Sequence, residues 1–193
     1  MMPNAITMLK SDHAKVKRLL RELNDTTAPK RRESLVADIE RELKTHAQIE
    51  EEVFYPAFKA AAGKTDAVDM FYEAAEEHHL LDMELPTLKT ANSKSPEFAA
   101  KAKVLMELVE HHVKDEENEM FPKMRQLCSE EQLREIGDLM QARKESIEAM
   151  WDHPILRQVK KVQSAAHKMM PTKVKTAKAA VISKVMSARE EAR

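Results

Sequence analysis

Apolar positions recur at steps of three and four along most of the chain, the spacing of one helical face. Ile6, Leu9, Val16, Leu20 and Leu23 form the first such stripe, with His13 in its middle. Asn4 is placed to cap this helix, and Asn24 to Pro29 reads as a loop. A second stripe from about Lys30 runs through Leu35, Ile39, Leu43, His46, Glu50, Val53 and Phe54 to Pro56. The ring and missing N–H of Pro56 predict a kink or a break there. Residues 57–62 can add a turn or two before Gly63, the expected C-terminal cap.

A third helix is predicted over about Asp66 to Thr90, with Phe71, Ala74, His78, Leu81, Leu85 and Leu88 inward and Pro86 as a possible bend. Ser95-Pro96-Glu97 is a start signal, a capping hydroxyl with proline at the first helical position. The fourth helix then runs to about Leu127, with Leu108, His112, Glu116 and Met120 on its inner face. Ser129-Glu130-Glu131-Gln132 has the form of a capping box and opens a fifth helix to about Met150. Beyond Trp151-Asp152-His153-Pro154, two basic helical stretches, about 155–169 and 172–190, flank Pro171.

Two inner faces carry the same chemistry. His46-Ala47-Gln48-Ile49-Glu50 is repeated 66 residues later as His112-Val113-Lys114-Asp115-Glu116, and Pro56 and Pro122 each follow ten residues after the histidine. The context repeats as well, Glu50-Glu51 with Phe54-Tyr55-Pro56 against Glu116-Glu117 with Phe121-Pro122. Residues four apart share a helical face, so each copy aims an imidazole and a carboxylate at one point. A further histidine precedes each copy, His13 by 33 residues and His78 by 34, each directly after an acid, Asp12 or Glu77. The chain thus reads as a helical hairpin made twice, with six side chains converging if the four helices bundle.

One buried His/Glu pair would be an ordinary core hydrogen bond. A twofold set of four histidines and two glutamates is harder to explain that way, because a carboxylate on an apolar face is costly unless it is paired or metal-bound. Six ligands exceed one tetrahedral zinc and suit two metals. If Glu50 and Glu116 each bridge and each ion takes two histidines, every ion has four protein donors and open positions. Such a mixed nitrogen and oxygen set is characteristic of iron that meets oxygen, although zinc or manganese could use the same ligands.

Several neighbours leave alternatives. His79 and His111 lie about 100° around their helices from His78 and His112, and each could replace its neighbour. Asp82 shares a face with His78 and could be a ligand, an acceptor behind one, or a solvated rim residue. Phe54 and Met120 are expected as apolar walls. Tyr55 and Tyr72 could serve as electron donors, with Tyr55 off the ligand face by helical periodicity.

Composition agrees with an all-helical chain: of 193 residues only two are glycine, 34% are charged and 4% aromatic. The single cysteine, Cys128, excludes an internal disulfide framework and fits a reducing compartment. The Met1-Met2-Pro3-Asn4 start has no leader pattern, and a cytoplasmic location is the expectation. The net charge of −1 conceals a division, since residues 1–156 carry 22 Lys+Arg against 31 Asp+Glu while 157–193 carry 10 against 2. The basic tail is expected to pack on the acidic part or to fray; contact with nucleic acid or membrane is the lesser alternative.

Over about residues 4–127 the sequence resembles the hemerythrin-like family of HHE cation-binding domains. The resemblance rests on Asp12-His13, His46-xxx-Glu50-Glu51, Glu77-His78 and His112-xxx-Glu116-Glu117 with the two downstream prolines. It implies an up-down-up-down four-helix bundle over 1–128 and a C-terminal helical extension over 129–193, basic from about 157. It also implies a non-haem di-iron centre, oxo- or hydroxo-bridged, with O₂, peroxide or NO as its small ligand. Roles implied include O₂ binding, catalase-like handling of peroxide, and iron or oxygen sensing in which the basic tail engages a partner; oligomeric state stays open. The ferritin-like Glu-xx-His order is absent from the ligand segments. The oxygen carriers have a further histidine where this chain has Asp82, and space the last histidine and acid by five, so reversible carriage is the weaker expectation.

Overall fold

The helix starts follow from local hydrogen bonds. In the computed structural model, which describes residues 3–63 and 67–152, Asn4 accepts from the Thr7 N–H at the head of α1, Ala5–Asp25. Ser95 accepts from the Phe98 N–H at the head of α5, Pro96–Asp115. Ser129 and Gln132 cap each other reciprocally at the head of the last described helix. Between these lie α2, Pro29–Ile49, and α4, Ala67–Thr90, which keeps its helical course through Pro86. No strand occurs among the described residues. His153, His167 and the basic stretches 155–169 and 172–190 lie outside them.

Pro56 neither breaks nor ends its helix. Five residues, Glu50–Phe54, form a π-turn in which the Tyr55 N–H bonds the Glu50 carbonyl, and α3, Tyr55–Ala62, continues with Pro56 in its first turn. The second copy repeats this device, with a π-turn at Glu116–Met120 followed by α6, Phe121–Leu127. The wider turn relieves the clash between a proline ring and the carbonyl four residues earlier. Gly63 closes α3 with φ of 65°, a conformation open to glycine. Cys128 ends α6, with its thiol against Met124.

The helices pack in a ring, α1 against α2 and α5, and α4 against α2 and α5. Short connections, Thr26 to Ala28 and Ala91 to Ser95, suit antiparallel neighbours. Helix α7, Glu130–Asp152, adds Leu133, Met140 and Ile147 to the core that holds Ala5, Ile6, Leu9, Phe54, Tyr55, Phe58 and Phe121. A second apolar cluster, from Val16, Leu20, Leu35, Ile39, Leu81, Leu85, Leu105 and Val109, lies further along the bundle. Helices α1, α2 and α4 contribute to both clusters and carry their histidines between the two stretches, and α5 reaches the first cluster through the π-turn that continues it beyond His112. The polar layer is thus enclosed by apolar walls, where electrostatic interactions are strong and unpaired groups are costly.

Candidate metal centre

His13, His46, His78 and His112 are 2–5% exposed, Glu50 is fully buried and Glu116 is 2% exposed, so all six predicted side chains point inward. Their histidine Nε2 atoms form two pairs, His13 with His46 at 3.1 Å and His78 with His112 at 3.2 Å. Glu50 Oε2 lies 3.2 Å from His46 and 3.3 Å from His78. Glu116 Oε2 lies 3.2 Å from His13 and 3.6 Å from His112. Each carboxylate therefore spans the two histidine pairs, which is the arrangement expected of bridging ligands. His13, His46, Glu50 and Glu116 offer atoms within 4.8 Å of one another, and so do Glu50, His78 and His112.

The outer nitrogens are held by carboxylates, three of them at 2.9 Å: Glu117 on His13 Nδ1, Glu51 on His78 Nδ1 and Glu77 on His112 Nδ1. Asp12 Oδ2 stands 3.8 Å from His46 Nδ1, too far for a direct hydrogen bond, because Lys144 of α7 draws it away with contacts of 2.6 and 2.7 Å. Asp12 and Glu77 thus face not the histidine beside them in sequence but the one on the next helix. Carboxylates in this position fix the ring and direct the Nε2 lone pair inward.

The electrostatics express the same need for positive charge. Burial pulls the His46 imidazolium down, but Glu50, Asp12 and Glu116 outweigh it and raise the pKa to about 10. Burial likewise opposes His78, yet Glu50 and Glu51 lift it to about 9. Burial alone would raise Glu50; His46 and His78 instead hold it well below the usual carboxylate range. For Asp12 the raising effect of burial is outweighed by His46 and Lys144. Both Glu50 oxygens and Glu116 Oε2 lack a hydrogen-bond partner although buried. Buried acceptors normally find a partner, so the donor set fits cations between the two pairs.

Aromatic rings complete the layer. Phe121 stacks on His13 with centroids 5.7 Å apart, and Tyr55 stacks on His78 at 5.6 Å. Tyr55 is fully buried and donates to Glu116 Oε1 at 2.9 Å. The expectation that it lies off the ligand face is corrected: a residue five after Glu50 would sit about 140° away in a regular helix, but the π-turn brings Phe54 and Tyr55 both inside. Burial first, then Glu116 and Glu50, push the Tyr55 phenol well above its usual range. Tyr72 is 55% exposed and its hydroxyl meets Lys59 instead.

The remaining alternatives separate cleanly. His79 is exposed, and His111 turns to Glu77 and Asp115, 3.1 and 3.0 Å from its Nδ1. His78 and His112 hold the inward positions. Asp82 is exposed at the rim of a small cavity that leads to His46, His78 and His112 between Leu43, Ala47, Leu81 and Leu85.

This chain matches the Hemerythrin HHE cation binding domain over residues 4–124. It belongs to the hemerythrin HHE cation-binding family. Among curated proteins it is 30% identical over 145 residues to a DNA nickase of Nostoc sp., covering 75% of this chain and 40% of that one. The chain therefore spans well under half the length of that relative. It is also 29% identical over 146 residues to uncharacterized proteins of Mycobacterium bovis and Mycobacterium tuberculosis, covering 75% of this chain and 87% of each of theirs. The crystal structure of a hemerythrin HHE cation binding domain-containing protein from Mycobacterium kansasii is similar with a TM-score of 0.66 and 27% identity, covering 77% of this chain and 89% of that one. Within this HHE domain the doubled glutamates Glu50-Glu51 and Glu116-Glu117 were visible as a repeat, but their division into an inward and an outward carboxylate needed the fold. Lys144 had no signal in the sequence at all.

Proposed function

We propose that the six inward side chains hold two iron ions and that the centre reacts with small oxygen species, O₂ or peroxide, with catalase-like decomposition of peroxide as its first candidate activity. The observation that carries this reading is the placement of one oxygen of Glu50 and one of Glu116 across both histidine pairs. His13 and His46 would hold one ion, His78 and His112 the other, and both glutamates would serve the two together. Iron bound there supplies the electrons that oxygen or peroxide reduction requires.

The chain's own residues set what can reach that centre. The cavity beside His46, His78 and His112 encloses about 20 Å³, room for a molecule near the size of water. It suits O₂, peroxide or NO. Phe54, Tyr55 and Phe121 shut the opposite side against bulk water. Tyr55 holds a proton beside Glu116 Oε1, where it can support charge that builds up on the centre. Asp82, in place of an additional histidine, leaves the side facing the cavity with fewer protein donors.

Anaerobic reconstitution of the full chain with ferrous iron, followed by iron counting and visible spectra with O₂, peroxide and NO in parallel, tests the reading. About two irons per chain and oxygen evolution from peroxide are expected. Fewer than about one iron per chain would overturn a two-metal site of this ligand class.

A further inference from the structure

The two halves of the molecule treat the same carboxylate differently. Asp12 and Glu77 occupy equivalent places, each behind the histidine of an HxxxE segment. Asp12 is neutralised by the Lys144 ammonium. Glu77 places one oxygen 2.9 Å from His112 Nδ1 and the other 3.1 Å from His111 Nδ1, which also lies 3.0 Å from Asp115 Oδ2. The positions matching His111 and Asp115 in the first half are Thr45 and Ile49, neither of which can add charge.

His111 Nδ1 is buried and makes no hydrogen bond of acceptable direction to either acid. A single ring nitrogen could in any case donate to only one of them. One imidazole nitrogen and two carboxylate oxygens within 4.8 Å of one another form a mixed donor set for a borderline divalent ion. Asp115 is about a third exposed, so an ion from solvent meets its carboxylate first, while His111 Nδ1 lies buried within the cluster.

We propose that Glu77, His111 and Asp115 form an outer divalent-cation site that captures ions from solution and hands them inward past Glu77 to His112. The inward transfer rests on the two-metal reading of the buried layer; the capture site does not. An ion here sits against Glu77, whose other oxygen holds His112 Nδ1 at 2.9 Å.

Co(II) added to the metal-free full chain tests this, with equilibrium dialysis to count ions and stopped-flow absorbance to follow the filling of the buried layer. The wild type is expected to hold about three Co(II), one of them weaker, and His111→Ala/Asp115→Asn about two. Filling should be roughly tenfold slower in that variant at low salt, the lower end of what focused charge adds to association rates. Asp115→Asn alone preserves shape and should already weaken the outer ion. A third ion retained by the double variant, or its absence from the wild type with equal filling rates, would overturn the proposal. A wild type that binds one weak ion, lost in the double variant, would uphold the outer site and sink the two-metal reading.

Discussion

Tyr55 and Phe121 occupy matching positions in the two halves, each stacked on a histidine, and only Tyr55 carries a hydroxyl, which it donates to Glu116 at 2.9 Å. Glu50, the counterpart of Glu116, has no such donor. The two carboxylates are therefore unequally hydrogen-bonded although they span the histidine pairs alike. Tyr55→Phe should retain metal but lose about 1.5–3 kcal/mol, the worth of a hydrogen bond to a charged acceptor. Thermal melts of the loaded protein check the loss, and a shifted visible spectrum should report the altered Glu116. An unchanged spectrum would mean that the hydroxyl does not tune the centre.

Metal uptake should release protons. At pH 7.5 His46 and His78 are protonated in the metal-free protein, since their pKa values are raised to about 10 and 9. A ligating imidazole must be neutral. Calorimetry of Zn(II) binding in buffers of different ionisation enthalpy should show about two protons released per chain from these groups.

The same shifts set the pH dependence of the metal-free fold. Both histidines bind protons more tightly folded than unfolded, so their contribution is complete below about pH 6.5, the ordinary histidine value, and is lost as pH rises through 9 and 10. Glu50 is shifted down, so its contribution is present above about pH 4.5 and is lost as pH falls through its lowered value. Chemical denaturation of the metal-free protein should thus show a decline from about pH 6.5 to about pH 10 that bound metal suppresses. A flat profile from pH 7 to 10.5 would contradict the charged histidine layer.

Lys144→Met leaves Asp12 without its ammonium in a place where the two side chains are 16% and 11% exposed. Breaking a fully buried pair costs about 3–5 kcal/mol, and the residual exposure here reduces that to about 2–4 kcal/mol. Urea denaturation of the metal-free variant measures it. Arginine at this position should recover part of the loss.

Gly137→Ala tests whether α7 is seated on the bundle. A Cβ there would lie 2.8 Å from the Ala5 nitrogen and the Pro3 carbonyl oxygen, both backbone atoms that cannot turn aside. A loss of about 1–3 kcal/mol is expected from the overpacking. Because α7 also carries Lys144 and Arg143, whose guanidinium grips both oxygens of Glu52, the variant should weaken those ion pairs as well. A melting temperature equal to that of the wild type would argue against close packing of α7.

The sequence revealed the histidines and glutamates because a repeat constrains spacing, and spacing is what a helix converts into direction. Each inward histidine and glutamate, from His13 to Glu116, lay on a stripe of period 3.6 and was legible for that reason. Tyr55 was not, because a π-turn adds a residue to the turn and rotates every side chain beyond it. Asp12 and Glu77 were visible as neighbours of histidines but serve other ones, a relation that depends on which helices touch. Lys144 comes from a helix outside the repeat, and no periodicity links it to Asp12. The basic tail was legible in charge alone.

The exchange of partners between the halves makes each hairpin depend on the other. His13 leans on Glu117 and His78 on Glu51, so a lone hairpin of this design carries unfinished chemistry on its inner face. Two identical hairpins meeting across an axis would complete one another without any change of sequence. Within one chain the copies need not match: the first carries the Tyr55 hydroxyl, and the second the partly exposed His111 imidazole.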